Sequence, residues 1–138
     1  MPNPSITHFF RFTHLFKNME KIAATERIHS SQSFQYLIDL ERGRVNREGH
    51  EFALVLFRIA DKAKSEKALI RMGRSISKRI RKIDQMGRYD ESRFGLLLPY
   101  TSLNGARKIA KDLCSIENIG ANIMDCDFYV YPEISKKR

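Results

Sequence analysis

The stretch of sequence that decides the fold is RKIDQMGRYDESRFGLLLP, residues 81–99. Its largely apolar run at 94–98 is too short for a helix and ends at Pro99, so it predicts a buried strand. Residues 86–89 predict the partner strand. Because the polar residues 90–93 lie between the two, the whole stretch is expected to form a β-hairpin with a charged tip.

The length and composition predict one ordinary globular domain. The chain has 138 residues, of which 42% are hydrophobic and 30% charged, so it can bury a sizeable core. Its formal net charge is +9. That charge favours an anionic partner, such as a nucleotide, a nucleic acid, an acidic membrane or an acidic protein, and is equally consistent with a solvated surface.

The cysteines and the apolar runs bear on the cellular compartment. Cys114 and Cys126 have no metal-ligand or disulfide-framework spacing, so they predict idle thiols in a reducing compartment. No apolar run approaches the length of a membrane span. Residues 1–16 contain Arg11 and two histidines, which argues against a secretory signal peptide. The chain is therefore expected to be cytoplasmic.

Residues 1–29 are set apart as an N-terminal helix and linker. Apolar residues recur at helical spacing from Ile6 to Ile22, with basic residues between them. The main interpretation is a helix that packs on the domain or on its twin in a homodimer. The alternative is a helix that lies on an acidic membrane surface, which would make the protein membrane-associated.

The remaining sequence predicts helices that alternate with strands. A serine-rich cap at 30–33 precedes a helix whose apolar side starts at Phe34. Residues 52–57 are apolar throughout, as in a central strand covered on both faces. The next helix is expected to run from Leu69 to Ile83. Its inner face consists of Leu69, Met72, Ile76, Ile80 and Ile83.

The C-terminal part completes the predicted fold. After the hairpin, Thr101 or Ser102 caps a further helix over 103–113, and an aromatic strand follows at 126–131. This order of elements predicts an α+β sandwich in which helices cover a central, mostly antiparallel sheet. The tail at 135–138 is basic and carries no core signal.

The hairpin stretch resembles the GGDEF domains of bacterial diguanylate cyclases. In that family an RxxD motif, five further residues, a signature pentapeptide and an apolar strand ending in proline follow one another, and residues 81–99 keep this order and spacing. The resemblance implies that residues 30–134 form one GGDEF-like domain with the palm-like core of nucleotidyl cyclases. It also implies a shortened copy, because the family's closing helix has no counterpart before the sequence ends.

The resemblance further implies that the catalytic machinery is lost. Active members hold GTP and divalent cations on carboxylate oxygens. The family's metal-binding carboxylate at the end of its first strand corresponds to Arg58, which would repel a cation, and the nearest carboxylate, Asp61, lies three residues further on. The gap between Ala60 and Leu69 is too short for the helix that contacts guanine and phosphate in the family.

The signature pentapeptide also lacks the residue types that catalysis requires in the family. Asp90 and Glu91 occupy the positions of the family's paired glycines, and Ser92 and Arg93 occupy its acidic catalytic positions before Phe94. We therefore expect no catalytic residue, no metal site and no cofactor. The main interpretation of these residues is a solvated hairpin tip. The alternative is a cation-dependent phosphotransferase that uses Asp90 and Glu91.

The RxxD motif of this chain is Arg81-Lys82-Ile83-Asp84. In active cyclases the motif binds the product, cyclic di-GMP, and the resemblance implies that Arg81 and Asp84 bind this ligand, with Arg79 and Arg88 near its phosphates. An arginine can contact the guanine edge in a bidentate manner, and a carboxylate can accept its N–H groups. The alternative is an ordinary exposed ion pair at a helix end.

Two functional classes therefore remain open. The first is a catalytically inactive GGDEF-like signalling module that serves as a cyclic di-GMP receptor. The alternative is a basic scaffold that docks on another protein, a membrane or a nucleic acid without any small ligand. Nucleic acid is the least expected partner, because no DNA- or RNA-binding motif accompanies the basic face.

Overall fold

A five-stranded sheet forms the centre of the computed structural model, which describes residues 27–133. Its strands are β1 (Ile28–His29), β2 (Phe52–Ile59), β3 (Gln85–Arg88), β4 (Arg93–Pro99) and β5 (Ile123–Tyr131). They lie in the order β1-β3-β4-β2-β5. β1 pairs with β3 in parallel, and the other pairs are antiparallel. The predicted α+β fold with a mostly antiparallel sheet is thus confirmed.

The three long helices begin at serine caps, and one short helix does not. They are α1 (Ser31–Glu48), α2 (Glu66–Ser77), α3 (Leu103–Cys114) and the short α4 (Glu117–Gly120), with a 3-10 turn at Asp61–Ala63. The hydroxyls of Ser30, Ser65 and Ser102 each accept a backbone N–H from the first turn of α1, α2 and α3 respectively. Such caps satisfy N–H groups that have no partner within the helix, which fixes where each helix begins.

Helices cover both faces of the sheet. Phe34, Ile38 and Val45 of α1 pack on one face, whereas α2, α3 and α4 pack on the other. The apolar run at 52–57 is buried throughout, as predicted for a strand covered on both faces. Its residues alternate between the two cores: Phe52, Leu54 and Leu56 contact the α1 side, and Ala53, Val55 and Phe57 contact the side of α2–α4.

The prediction of a helix from Leu69 to Ile83 is wrong at its C-terminal end. α2 stops at Ser77, and the N–H of Arg79 bonds to the carbonyl of Ile76 in a tight turn. Ile80 still packs against the core, but Ile83 is 50% exposed. Apolar residues thus keep a helical spacing past the end of α2, although residues 78–84 form a turn that leads into β3.

The terminal segments lie outside the described residues. The predicted helix at 6–22 and the basic tail at 135–138 fall there, and the proposed domain boundaries stay predictions. Within residues 27–133, no helix has both the length and the apolar character needed to cross a membrane.

Candidate functional site

The predicted hairpin is confirmed, and its two strands lie between β1 and β2 in the sheet. β3 and β4 pair with Gly87 opposite Gly95 and Arg88 opposite Phe94. The N–H of Tyr89 bonds to the carbonyl of Arg93 at 2.9 Å and closes the hairpin. The tip is therefore formed by residues 89–92.

Asp90 organises this tip. Its Oδ1 accepts the backbone N–H groups of Ser92 at 3.0 Å and Arg93 at 2.8 Å. Its Oδ2 accepts Nε of Arg93 at 2.8 Å. The hydrogen bond from Arg93 lowers the pKa of the Asp90 carboxyl. The neighbouring Glu91 is exposed. The carboxylate of Asp90 thus stabilises the turn at the hairpin tip.

Arg58 lies beside this tip, at the end of β2. Its cross-strand neighbours are Arg93 on β4 and Asp125 on β5, so the three side chains share one face of the sheet. Nε of Arg58 lies 3.4 Å from Oδ1 of Asp125, with both side chains about half exposed. Two guanidinium groups therefore lie at adjacent positions next to the signature turn.

The acidic residues near the tip do not come together. Asp61 is solvent-exposed and pairs with Lys64 at 2.9 Å. A cavity of about 20 Å³ between Lys64 and the tip has room for roughly one water molecule. Across residues 27–133, no group of three His, Cys, Asp or Glu side chains is arranged to hold a metal ion.

The two end residues of the RxxD motif, Arg81 and Asp84, are bonded to each other. Asp84 has a fully buried side chain, and its Oδ2 accepts the backbone N–H of Arg81 at 2.8 Å. The guanidinium of Arg81 donates Nη2 to Oδ1 at 2.9 Å and Nε to Oδ2 at 3.3 Å. The alternative of an exposed pair at a helix end is wrong, because the pair lies in the turn after α2 and its carboxylate is buried.

Arg81 also joins this turn to the next loop. Its Nη2 donates to the carbonyl of Pro99 at 2.7 Å and to the hydroxyl of Thr101 at 2.9 Å. Nη2 of Arg27 donates to the backbone carbonyls of Arg81 and Asp84 in the same turn. Even so, 48% of the Arg81 side chain stays exposed. Arg79 lies in the same turn and Arg88 on β3, both with exposed side chains.

A buried polar cluster at the end of the sheet opposite the hairpin tip was missed by the sequence analysis. Nε2 of His50 lies 2.7 Å from Oε2 of Glu41, and both side chains are almost fully buried. The His50 ring stacks on Tyr100 with 4.0 Å between centroids, and the Tyr100 hydroxyl donates to Glu48. The nine-residue separation of Glu41 and His50 spans a helix end and a turn, so no local pattern connects them.

Cys114 and Cys126 carry free thiols. Both lie partly buried against the core beneath α2–α4, and burial raises the pKa of each thiol. A raised pKa lowers the thiolate fraction at neutral pH, and therefore the reactivity of the cysteine.

The fold is shared with solved GGDEF-domain structures. One is a DGC protein from Thermotoga maritima, with a TM-score of 0.63, 20% identity, and 77% of this chain and 83% of that chain covered. Another is the GGDEF domain of YfiN from Pseudomonas aeruginosa, with a TM-score of 0.62, 17% identity, and 77% and 78% covered.

A third similar structure contains a ligand. It is the coiled coil and GGDEF domain of DgcB from Caulobacter crescentus in complex with c-di-GMP, with a TM-score of 0.60, 12% identity, and 91% of this chain and 78% of that chain covered. No protein-family model and no curated protein sequence matches this chain. From residue order, sheet topology and these likenesses, the chain has the fold of GGDEF domains.

Proposed function

We propose that this protein is a catalytically inactive GGDEF-fold signalling module, which acts by binding a partner and does not synthesise cyclic di-GMP. The observation that carries the proposal is the cross-strand pair of Arg58 and Arg93 beside the signature turn. In an active cyclase this region must present carboxylates to divalent cations.

The local chemistry supports the proposal. A magnesium ion prefers carboxylate and phosphate oxygens, and it would be repelled by the guanidinium groups of Arg58 and Arg93. Asp90 already accepts hydrogen bonds within the tip, and Asp125 lies against Arg58. These residues therefore do not fit the metal ions of the cyclase reaction.

The test is a turnover assay. The purified chain is incubated with GTP and either Mg²⁺ or Mn²⁺, and the nucleotides are separated by chromatography, with an active GGDEF cyclase as the positive control. We expect GTP to remain and no cyclic di-GMP to form. Multiple turnover by the pure chain would overturn the proposal.

A second candidate function is that of a cyclic di-GMP receptor, favoured by the exposed half of the Arg81 side chain. Because Asp84 is buried and both its oxygens are bonded to Arg81, the carboxylate is poorly placed to read guanine. The predicted site is therefore narrowed to the outer edge of Arg81, with Arg79 of the same turn near the phosphates. Arg88 lies at the other end of β3, beside Asp90 and Glu91 of the hairpin tip.

Calorimetric titration with cyclic di-GMP tests this candidate. Arg81→Ala should weaken binding by at least about tenfold, because a charge-assisted hydrogen bond contributes roughly 1.5–3 kcal/mol. Arg79→Ala tests the site without disturbing the Arg81–Asp84 pair. Arg71→Ala on α2 and Arg88→Ala at the hairpin tip are the controls. Absence of binding at tens of micromolar ligand, which corresponds to a binding free energy of roughly −6 kcal/mol, would exclude the receptor function.

The docking-scaffold alternative rests on the net charge of +9 and needs no small ligand. Among proteins of this fold, SiaD from Pseudomonas aeruginosa was solved in complex with its activator SiaC. Of the partners considered for a basic scaffold, another protein is therefore the one most compatible with an inactive signalling module.

A further inference from the structure

Four exposed cations form a ridge along the outer side of α2. They are Lys67, Arg71, Arg74 and Lys78. Because they follow intervals of four, three and four residues, they lie on one side of the helix. That side is opposite the buried side chains of Leu69, Met72 and Ile76, so the ridge faces away from the sheet. A rise of ~1.5 Å per residue makes this α2 ridge ~16 Å long.

The charge of the α2 ridge is not neutralised by its surroundings. Within residues 27–133, none of the four cations forms an ion pair, whereas other exposed cations do, such as Arg42 with Asp39 and Arg58 with Asp125. The only acidic residue of α2 is Glu66, in its first turn. Like charges at these intervals slightly destabilise a helix. An anionic surface held against the ridge would offset that repulsion.

The turn after α2 adds further cations and an exposed apolar side chain. Arg79 and Lys82 are exposed, and Ile83 is 50% exposed. The only carboxylate of this turn, that of Asp84, is buried and bonded to Arg81. A basic surface with an exposed aliphatic side chain combines two features that hold proteins on anionic bilayers. The cations attract the headgroups, and the apolar group enters the boundary of the acyl chains.

Other anionic partners match this surface less well. A nucleic acid is read and stacked upon by amide and aromatic side chains as well as cations, and residues 66–84 contain neither type. Exposed ion pairs with another protein contribute little individually. Near an anionic bilayer, in contrast, each basic side chain strengthens binding by about fivefold. A row of unpaired cations is therefore most effective against a membrane.

We propose that the α2 ridge and the turn after it dock this protein on anionic phospholipid membranes, with Ile83 inserted between the headgroups. The attachment is peripheral: α2 lies along the bilayer surface, and its apolar side stays in the protein core. Because α1 and α2 cover opposite faces of the sheet, docking through α2 turns α1 away from the membrane. That side then remains open to the partner of the proposed signalling module.

Vesicle co-sedimentation with the full chain tests the proposal. The vesicles consist of phosphatidylcholine with or without phosphatidylglycerol, and binding is measured across a salt series. Arg74→Glu alters the α2 ridge. Arg47→Glu is the matched control, because it changes the net charge equally at an exposed position of α1, on the opposite side of the sheet. Circular dichroism verifies that each variant remains folded.

We expect the unmodified protein to bind the anionic vesicles, with an affinity that falls as salt is added, and to bind the neutral vesicles far more weakly. Arg74→Glu should lower the affinity at least about tenfold, and Arg47→Glu less than about threefold. Absence of binding at low salt, or equal losses for the two substitutions, would overturn the proposal. Binding that neither substitution alters would place the membrane contact elsewhere in the chain and would overturn it too.

Ile83→Ala distinguishes a membrane from other polyanions. The substitution should lower the affinity for anionic vesicles by about fivefold or more, because less apolar surface leaves water on docking. It should leave the binding of an oligonucleotide unchanged, since charge alone governs that attraction. An unchanged affinity for vesicles would make the α2 ridge a general polyanion surface and would overturn membrane docking.

Discussion

Asp84 holds the turn between α2 and β3 together through one buried carboxylate. It accepts the backbone N–H of Arg81 and two contacts from its guanidinium. We expect Asp84→Ala to lower the free energy of unfolding by about 2–4 kcal/mol, because it leaves a donor unpaired and frees a partly exposed cation. Urea denaturation measures the change.

The control for this prediction is Asp112→Ala on α3. Asp112 is exposed, so its removal should change the free energy of unfolding by about 0.5 kcal/mol or less. Similar small losses for both variants would mean that the Arg81–Asp84 bond contributes no more than a surface ion pair.

Asp90 makes the stability of the hairpin tip depend on pH. The Arg93 hydrogen bond lowers the pKa of its carboxyl below the ordinary value of 3.8. Because the pKa is lower in the folded state, the ionised carboxylate stabilises the fold above pH 3.8, and this contribution is lost as the pH falls through the folded-state pKa. The effect is modest, since the side chain is partly exposed.

Thermal unfolding at several pH values measures this contribution. The difference in Tm between the unmodified protein and Asp90→Asn should be constant above about pH 5 and should narrow as the pH falls below about 4. Glu91→Gln removes the same charge from the adjacent, exposed position and is the matched control. A difference for Asp90→Asn that persists unchanged to about pH 2 would contradict the assignment.

At the scale of elements, the packing of α1 on the hairpin depends on two glycines. Gly87 and Gly95 lie opposite each other, and the Phe34 ring rests on both. A Cβ at Gly95 would lie 2.6 Å from the Phe34 ring. We therefore expect Gly95→Ala to lower the free energy of unfolding by about 1–3 kcal/mol.

Gly43 provides the matched control for this substitution. It lies within α1, and no atom is within 4 Å of the position that its Cβ would occupy. Gly43→Ala should raise the free energy of unfolding by up to about 1 kcal/mol, because alanine favours the helical conformation. Chemical denaturation compares the two variants, and equal effects at Gly43 and Gly95 would contradict the packing argument.

The sequence predicts those elements whose patterns are local. The hairpin at 81–99 and the buried strand at 52–57 follow from period and turn residues, and both are confirmed. β1 and α4 are too short for any periodic signal and exist because neighbouring elements pair with them or pack on them. The end of α2 was misplaced because apolar spacing alone does not distinguish a helix from the turn that follows it.

The candidate site was predictable to the same extent. Spacing alone brought Arg81 and Asp84 into one motif and placed Asp90 at the hairpin tip. It gave no sign that Asp84 is buried, because the burial depends on Pro99 and Thr101, which belong to a different loop. Asp125 was missed as the neighbour of Arg58 for the same reason, since cross-strand register is a property of the whole sheet.

At the scale of the whole molecule, charge is unevenly distributed. Exposed arginines and lysines follow α2 and the turn after it, at Arg71, Arg74, Lys78 and Arg79, whereas β5 exposes Asp125 and Asp127. An arrangement of this kind directs polyanions to one side of the protein, with an attraction that salt screens. The net charge of +9 alone would attract them to every side equally.

Charge reversal distinguishes these two cases. Arg71→Glu with Arg74→Glu alters the basic side, and Lys108→Glu with Lys111→Glu alters α3 by the same total charge. The polyanion probe is a fluorescent oligonucleotide. If the α2 side is a binding surface, the first pair of substitutions should weaken oligonucleotide binding by about tenfold or more and reduce the salt dependence of that binding. The second pair should have a smaller effect. Fluorescence anisotropy across a salt series measures both, and equal losses would mean that net charge alone governs the attraction.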